Sequence, residues 1–224
     1  MVSITYVNWN TMDWIDKSIK KILEHPPKVE YEIIIVDNGS TIDNYKQWKE
    51  EHPQYRYIEN PKNMGAGYAI NQAILASRGK YFCFINPDTE PKEGWLDILV
   101  AYLEEHPECG LVTPSGTNVC NPNMAPQNNK GENINSTGSV VPFMCIVVPK
   151  IIFCNHGLLA MNYGEDIEFA RRLQAFGKTS VIVAKAFVLH SSNSSFLANK
   201  IGRNSKVIQD YFRDNVLPLI SEDR

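Results

Sequence analysis

From the N-terminus to Gly110 the apolar residues recur with two alternating rhythms. Short β-rich runs cover Val2–Val7, Tyr31–Val36, Tyr55–Glu59 and Lys80–Ile85. Between them lie segments of helical character: Met12–Glu24, the polar Asn44–Glu51, Tyr68–Ser77 and, after the fourth run, Trp95–Glu105. In Met12–Glu24 the residues Trp14, Ile15, Ile19, Ile22 and Leu23 fall three and four apart, and Pro26-Pro27 stops the helix. Tyr31–Val36 reads Y-E-I-I-I-V, the unbroken apolar pattern of a strand buried on both faces. Gly79 stands where a glycine closes a helix. The order β-α-β-α-β-α-β predicts an α/β fold with a mostly parallel central sheet flanked by helices.

Beyond Gly110 the pattern loosens. Gly110–Thr113 is a short further strand, and Pro114–Gly138 is crowded with Asn, Pro, Gly, Ser and Thr. A stretch of that length and composition inside a compact domain predicts a flexible loop, functional or disordered. Val140–Val148 returns to strand character. Glu165–Phe176 is a helix with Phe169, Leu173 and Phe176 on one face, closed by Gly177. Ser180–Leu189 is the last strand, and residues 196–224 read as a polar, helical C-terminal tail with a few apolar anchors. The 224 residues are expected to form a single domain, 1–224.

Lys plus Arg number 22 against 25 Asp plus Glu, a formal charge of −3, so no generally basic surface for nucleic acid is expected. The longest apolar runs are far short of the ~20 residues that span a bilayer, so no transmembrane segment is expected, and peripheral membrane contact stays open. Met1–Val7 lacks the basic start of a signal peptide. Five cysteines without C-x-x-C spacing argue against a disulfide framework or thiolate zinc site and fit a reducing, cytoplasmic setting.

Three predicted strands end in polar clusters: Asn8-Trp9-Asn10, Asp37-Asn38-Gly39-Ser40 and Asn86-Pro87-Asp88. Each alone is also what a plain turn looks like. Together they fall where an open α/β sheet binds ligands, beyond the carboxyl ends of its strands. Asp88 either ligates a divalent cation or caps the segment that starts at Pro91. His190, ending the last strand at the same edge, suits Mn²⁺ or a similar ion. Glu165 and Asp166 follow Gly164 at a helix start, placed either to complement the helix dipole or to act as a general base. Gly65-x-Gly67 lacks the third glycine of a dinucleotide fingerprint and offers a glycine loop and helix start for a nucleotide or phosphate.

Taken in order, these clusters resemble the family 2 glycosyltransferases of the GT-A (Rossmann-like) fold. The matching residues are Val7-Asn8-Trp9-Asn10, Ile35-Val36-Asp37-Asn38-Gly39-Ser40, Asn63-x-Gly65, Asn71-x-Ala73-Ile74, Asn86-Pro87-Asp88, and Glu165-Asp166 with Arg172. V-N-W-N, V-D-N-G-S and N-P-D together look most like the rhamnosyltransferase-type branch. The resemblance implies a nucleotide-sugar site formed by Asn8, Asn10, Asp37, Asn38, Gly65, Asn71, Asn86 and Asp88, with Asp37 and Asn38 on the base and ribose. It implies a divalent metal, Mn²⁺ or Mg²⁺, at Asp88 and His190, with Asn86 standing in place of the usual first acid. Asp166 corresponds to the catalytic base, with Glu165 beside it. Gly157-Leu158-Leu159-Ala160-Met161 departs from the usual G-x-F-D-E and lacks its acid.

The implied activity is inverting transfer of rhamnose, another hexose or an N-acetylhexosamine from a UDP- or dTDP-sugar. The acceptor would be a glycan, a lipid-linked saccharide or a protein, with Pro114–Gly138 as lid or acceptor loop. Two rivals remain: a non-catalytic nucleotide-sugar-binding module and a sugar nucleotidyltransferase. Asn8–Asp13 has neither glycine nor a basic residue, which argues against the triphosphate loop of the latter.

Overall fold

The computed structural model describes residues 1–42, 44–119, 121–137, 139, 141–160 and 164–191. Strands β1 (Val2–Asn8), β2 (Tyr31–Asp37), β3 (Arg56–Glu59) and β4 (Tyr81–Ile85) are joined through helices α1 (Met12–Glu24), α2 (Tyr45–Glu51) and α3 (Ala66–Ala76). The pairs β1/β2, β2/β3 and β1/β4 are all parallel, as the alternating pattern predicts. There follow β5 (Thr89–Pro91), α4 (Trp95–Glu105), β6 (Cys109–Gly116), a 3₁₀ turn at Pro122–Met124, α5 (Pro126–Asn129) and β7 (Ile134–Asn135). The described part ends with β8 (Cys145–Pro149), α6 (Lys150–His156), α7 (Glu165–Ala175) and β9 (Thr179–His190).

The nine strands of the described residues form one sheet, in the order β3-β2-β1-β4-β8-β6-β9-β5, with β7 on β9. β8 runs antiparallel to both β4 and β6, while β6 and β9 are parallel. So β1, β2, β4, β6 and β9 point the same way, and their carboxyl ends share one edge. That edge carries the site.

Alternation sorts the strand side chains between two cores. Ile4, Tyr6, Ile33, Ile35, Cys83 and Val147 pack with α1 and α4 through Ile15, Ile19, Trp95 and Leu99. Ile34, Val36, Phe82, Phe84, Ile146 and Val148 pack on the opposite face with α3, α6 and α7 through Ile70, Ile74, Phe153, Phe169 and Leu173. Each such side chain contributes about 1.5–3 kcal/mol by leaving water, and burial on both faces explains the unbroken apolar runs of β2 and β4.

Several local expectations are corrected. Gly79 does not close α3: the helix ends at Ala76 with Ser77 extended at its end, and Gly79 has no left-handed backbone. A Cβ there would lie 2.7 Å from the Ser3 nitrogen, so glycine is needed for close approach to β1. β6 extends through Pro114 to Gly116, all buried, and β7 within the expected loop pairs with β9. Leu23 and Phe176, read as apolar-face residues, are 53% and 55% exposed, Phe176 lying beyond the end of α7 and stacking on His156. The tail 196–224 lies outside the described residues. Among the described residues no helix is long and apolar enough to cross a membrane.

Candidate active site

A three-residue strand too short to stand out in the sequence brings the first two groups together. β5 pairs antiparallel with β9 in the register Thr89↔His190, and the Ser191 amide donates to the Asp88 carbonyl at 3.0 Å. The side chains thereby meet, with His190 Nε2 3.2 Å from Asp88 Oδ1. Asp88 is 4% exposed, and it does not cap a helix: β5 follows it, and α4 starts later, after Gly94.

Beside this pair opens a cleft of about 470 Å³, lined by Asn86 and His190 together with Glu165 and Asp166. Its apolar wall includes Ala66, Ile70, Phe84, Phe143 and Met144. The two acids open α7 after Gly164, whose φ of +95 suits a glycine. A helix start favours carboxylates, yet burial outweighs it here. Glu165 is pushed up to about 7 by desolvation, with the neighbouring Asp166 charge adding to the rise. Asp166 is also raised by burial, opposed by the Ile167 amide, which donates to its Oδ1 at 2.8 Å.

The remaining predicted residues sit along the same edge. Asn8 Nδ2 donates to Asp37 Oδ1 at 2.9 Å and to Ser40 Oγ at 3.0 Å, and the Thr41 amide donates to Asn10 Oδ1 at 2.8 Å. Asp37 and Ser40 line a second, polar cleft of about 700 Å³ with Tyr45, Glu59 and Asn60. Asn38 Oδ1 accepts from Asn60 Nδ2 and the Met64 amide, and its Nδ2 donates to Asn63 Oδ1 and the Gly65 carbonyl. All four positions of that amide are satisfied within the protein. Asn38 therefore ties the end of β2 to the loop that starts α3, with Gly65 at φ +89. Asn71 is turned away from the clefts: its amide donates to the Leu159 carbonyl at 2.8 Å and accepts from the Leu159 N–H at 2.9 Å.

Residues 3–156 match the family model described as Glycosyl transferase family 2. The chain belongs to this family. Relatives include a putative colanic acid biosynthesis glycosyl transferase, WcaA, of Escherichia coli (30% identical; 47% of this chain, 38% of that protein) and an uncharacterized glycosyltransferase of Haemophilus influenzae (28%; 47% and 33%). The chain thus spans little more than a third of the length of these curated relatives. Among solved structures, the mannosyltransferase PcManGT of Pyrobaculum calidifontis, in complex with GDP-Man and Mn²⁺, superposes with a TM-score of 0.70 (17% identical; 86% of this chain, 57% of that one). TarS 1–349 of S. aureus gives 0.64 (17%; 86% and 58%). These likenesses establish the GT-A fold.

The family match stops at His156, so Glu165, Asp166 and His190 of this glycosyltransferase rest on the geometry above. Arg172, further along α7, donates to the His156 and Leu158 carbonyls at 2.7 Å each and to Glu168 at 2.8 Å. With Asn71 on the other side, it fixes the Gly157–Leu159 turn that leads towards Glu165.

Whether these residues suit a divalent cation can be tested on the donor set. Among the described residues no three His, Cys, Asp or Glu side chains cluster as a cage. Asp88 and His190 offer one oxygen and one nitrogen 3.2 Å apart, close to the ~3 Å between adjacent ligands of an octahedral ion with ~2.1 Å bonds. Two protein ligands fit an ion whose other positions go to substrate phosphates and water. No motif marks Thr117 and Asn118, which bond to His190, or Phe143 and Met144 in the cleft wall.

Proposed function

We propose that this family 2 domain transfers a sugar from a nucleotide-diphosphate donor to a hydroxyl acceptor with inversion at the anomeric carbon. What supports this reading is the 3.2 Å contact between Asp88 and His190 at the wall of a cleft that Glu165 and Asp166 also line. Asp166 takes the acceptor proton. The acceptor oxygen then attacks the anomeric carbon from the face opposite the diphosphate, and the bond to the departing nucleotide breaks. Asp88 and His190 hold a divalent cation, Mn²⁺ or Mg²⁺, which when bound supplies Lewis-acid neutralisation of the diphosphate charge. Asp37, steadied by Asn8 and Ser40, meets the base and ribose, while Asn10, Asn38 and Gly65 shape the rim and Asn71 holds the Leu159 backbone behind it. Asn86 lies on the sugar side of the cleft. The donor is a UDP- or dTDP-sugar carrying rhamnose, another hexose or an N-acetylhexosamine, and the acceptor is a saccharide, lipid-linked saccharide or protein hydroxyl.

The test is nucleotide release from a panel of UDP-, dTDP- and GDP-sugars with Mn²⁺ and mixed glycan acceptors. Asp166→Asn should lower turnover by about 10²–10⁴-fold while leaving donor affinity intact. Wild-type turnover in that variant refutes the assignment of the base. Donor binding without transfer to any acceptor favours a binding module instead.

A further inference from the structure

His190 is gripped by the two residues that follow β6. Its amide donates to Thr117 Oγ1 at 3.0 Å, and its carbonyl accepts from Asn118 Nδ2 at 2.7 Å. Its ring Nδ1 lies 3.2 Å from the Asn118 carbonyl oxygen, and on the far side Nε2 lies 3.2 Å from Asp88 Oδ1. A carbonyl only accepts, so the Nδ1 contact calls for a proton on Nδ1. A neutral imidazole has one N–H, so Nε2 then turns a lone pair towards the Asp88 carboxylate. The neutral ring thus sets a lone pair beside the carboxylate as a two-atom donor set for a cation, whereas a second proton on Nε2 makes the same contact an ion pair.

Asn118 can aim its carbonyl in this way because of its backbone. It stands at φ +49, a conformation uncommon outside glycine but tolerated by asparagine. There its main-chain oxygen faces the ring while its side-chain amide reaches the carbonyl of the same histidine. We propose that Asn118 is a positioning residue that holds His190 in the Nδ1–H tautomer and leaves Nε2 as the ligand atom beside Asp88. The benefit to cation binding rests on the function proposed above; the tautomer does not.

The experiment reads both. Long-range ¹H–¹⁵N spectra of the metal-free chain at about pH 8.5, above the ordinary histidine range, report which His190 nitrogen is protonated, and titration with Mn²⁺ alone gives the cation affinity. The wild type should show Nδ1 protonated. Asn118→Val, whose branched side chain disfavours positive φ, should give mixed tautomers and about 10–100-fold weaker Mn²⁺ binding, the usual effect of losing a ligand's orienting partner. Asn118→Gly keeps the backbone conformation and should retain the tautomer. Amide spectra of the variants check that the fold persists. Nε2 protonation in the wild type, or an unchanged tautomer in Asn118→Val, overturns the proposal. The expected tautomers without any Mn²⁺ binding by the wild type support Asn118's role and sink the cation reading instead.

Discussion

Burial raises both of the adjacent carboxyls that open α7. Glu165 sits at about 7 in the fold, against about 4.3 in an unfolded chain. Between those values the folded chain holds the proton more tightly, so stability contributed by this group falls as pH rises from about 4.3 to about 7. Glu165→Gln should flatten that slope and make the chain roughly 1–3 kcal/mol more stable than wild type above pH 7. Urea denaturation at about pH 5 and pH 8 checks this, and parallel profiles for the two proteins would count against it. Asp88 is read by a different measurement: Asp88→Ala should abolish the Mn²⁺-dependent part of donor binding in calorimetry, leaving the metal-independent part. The positions of these acids and of the imidazole were legible in the sequence, because each ends or begins an element at the carboxyl edge. The directions of the amides were not. Asn38 and Asn71 both match family motifs, yet one is saturated by the Asn60–Gly65 loop and the other clamps Leu159.

At the scale of elements, long periodic segments were legible and short ones were not. β1, β2, β4, α1 and α4 follow from apolar patterning, since each buries a full face. β5 is Thr-Glu-Pro, with no pattern to read, yet its pairing with β9 brings Asp88 to His190. The reversed direction of β8 was also invisible, because a strand buried on both faces has the same composition either way. Loops are held with equal precision. Gly39 has φ +77, and a Cβ on it would sit 2.4 Å from the Lys62 Cα. Gly39→Ala should cost at least about 1–3 kcal/mol from backbone strain alone and weaken donor binding, because the Asp37 turn and the Asn60–Gly65 loop would have to part. Equal melting and donor affinity in that variant would show the loop to be plastic. Asn71→Ala removes both bonds to Leu159 and leaves a buried amide and carbonyl unpaired, at about 1–3 kcal/mol each. Hydrogen exchange at Leu159 should rise even where donor affinity holds.

For the whole molecule, the sheet brings distant stretches of sequence to one edge, so donor binding should couple them energetically. A ligand that binds only the folded state adds about 2.7 kcal/mol at a hundred times its Kd. For a domain of this size each kcal/mol raises Tm by about 2–4 °C, so a matching nucleotide sugar with Mn²⁺ should shift melting by about 5–10 °C. Because Asp88 and His190 belong to strands β5 and β9 while Asp37 belongs to β2, the nucleotide and the cation should act cooperatively: the shift with both exceeds the sum of the shifts with each. Additive shifts would mean that the two clefts bind independently and that no diphosphate bridges them. The same melts rank the bases. Uracil and thymine offer the same N3–H edge to Asp37, so UDP and dTDP sugars should shift alike and differ from GDP sugars, and a larger shift with GDP would move the proposed donor to a purine.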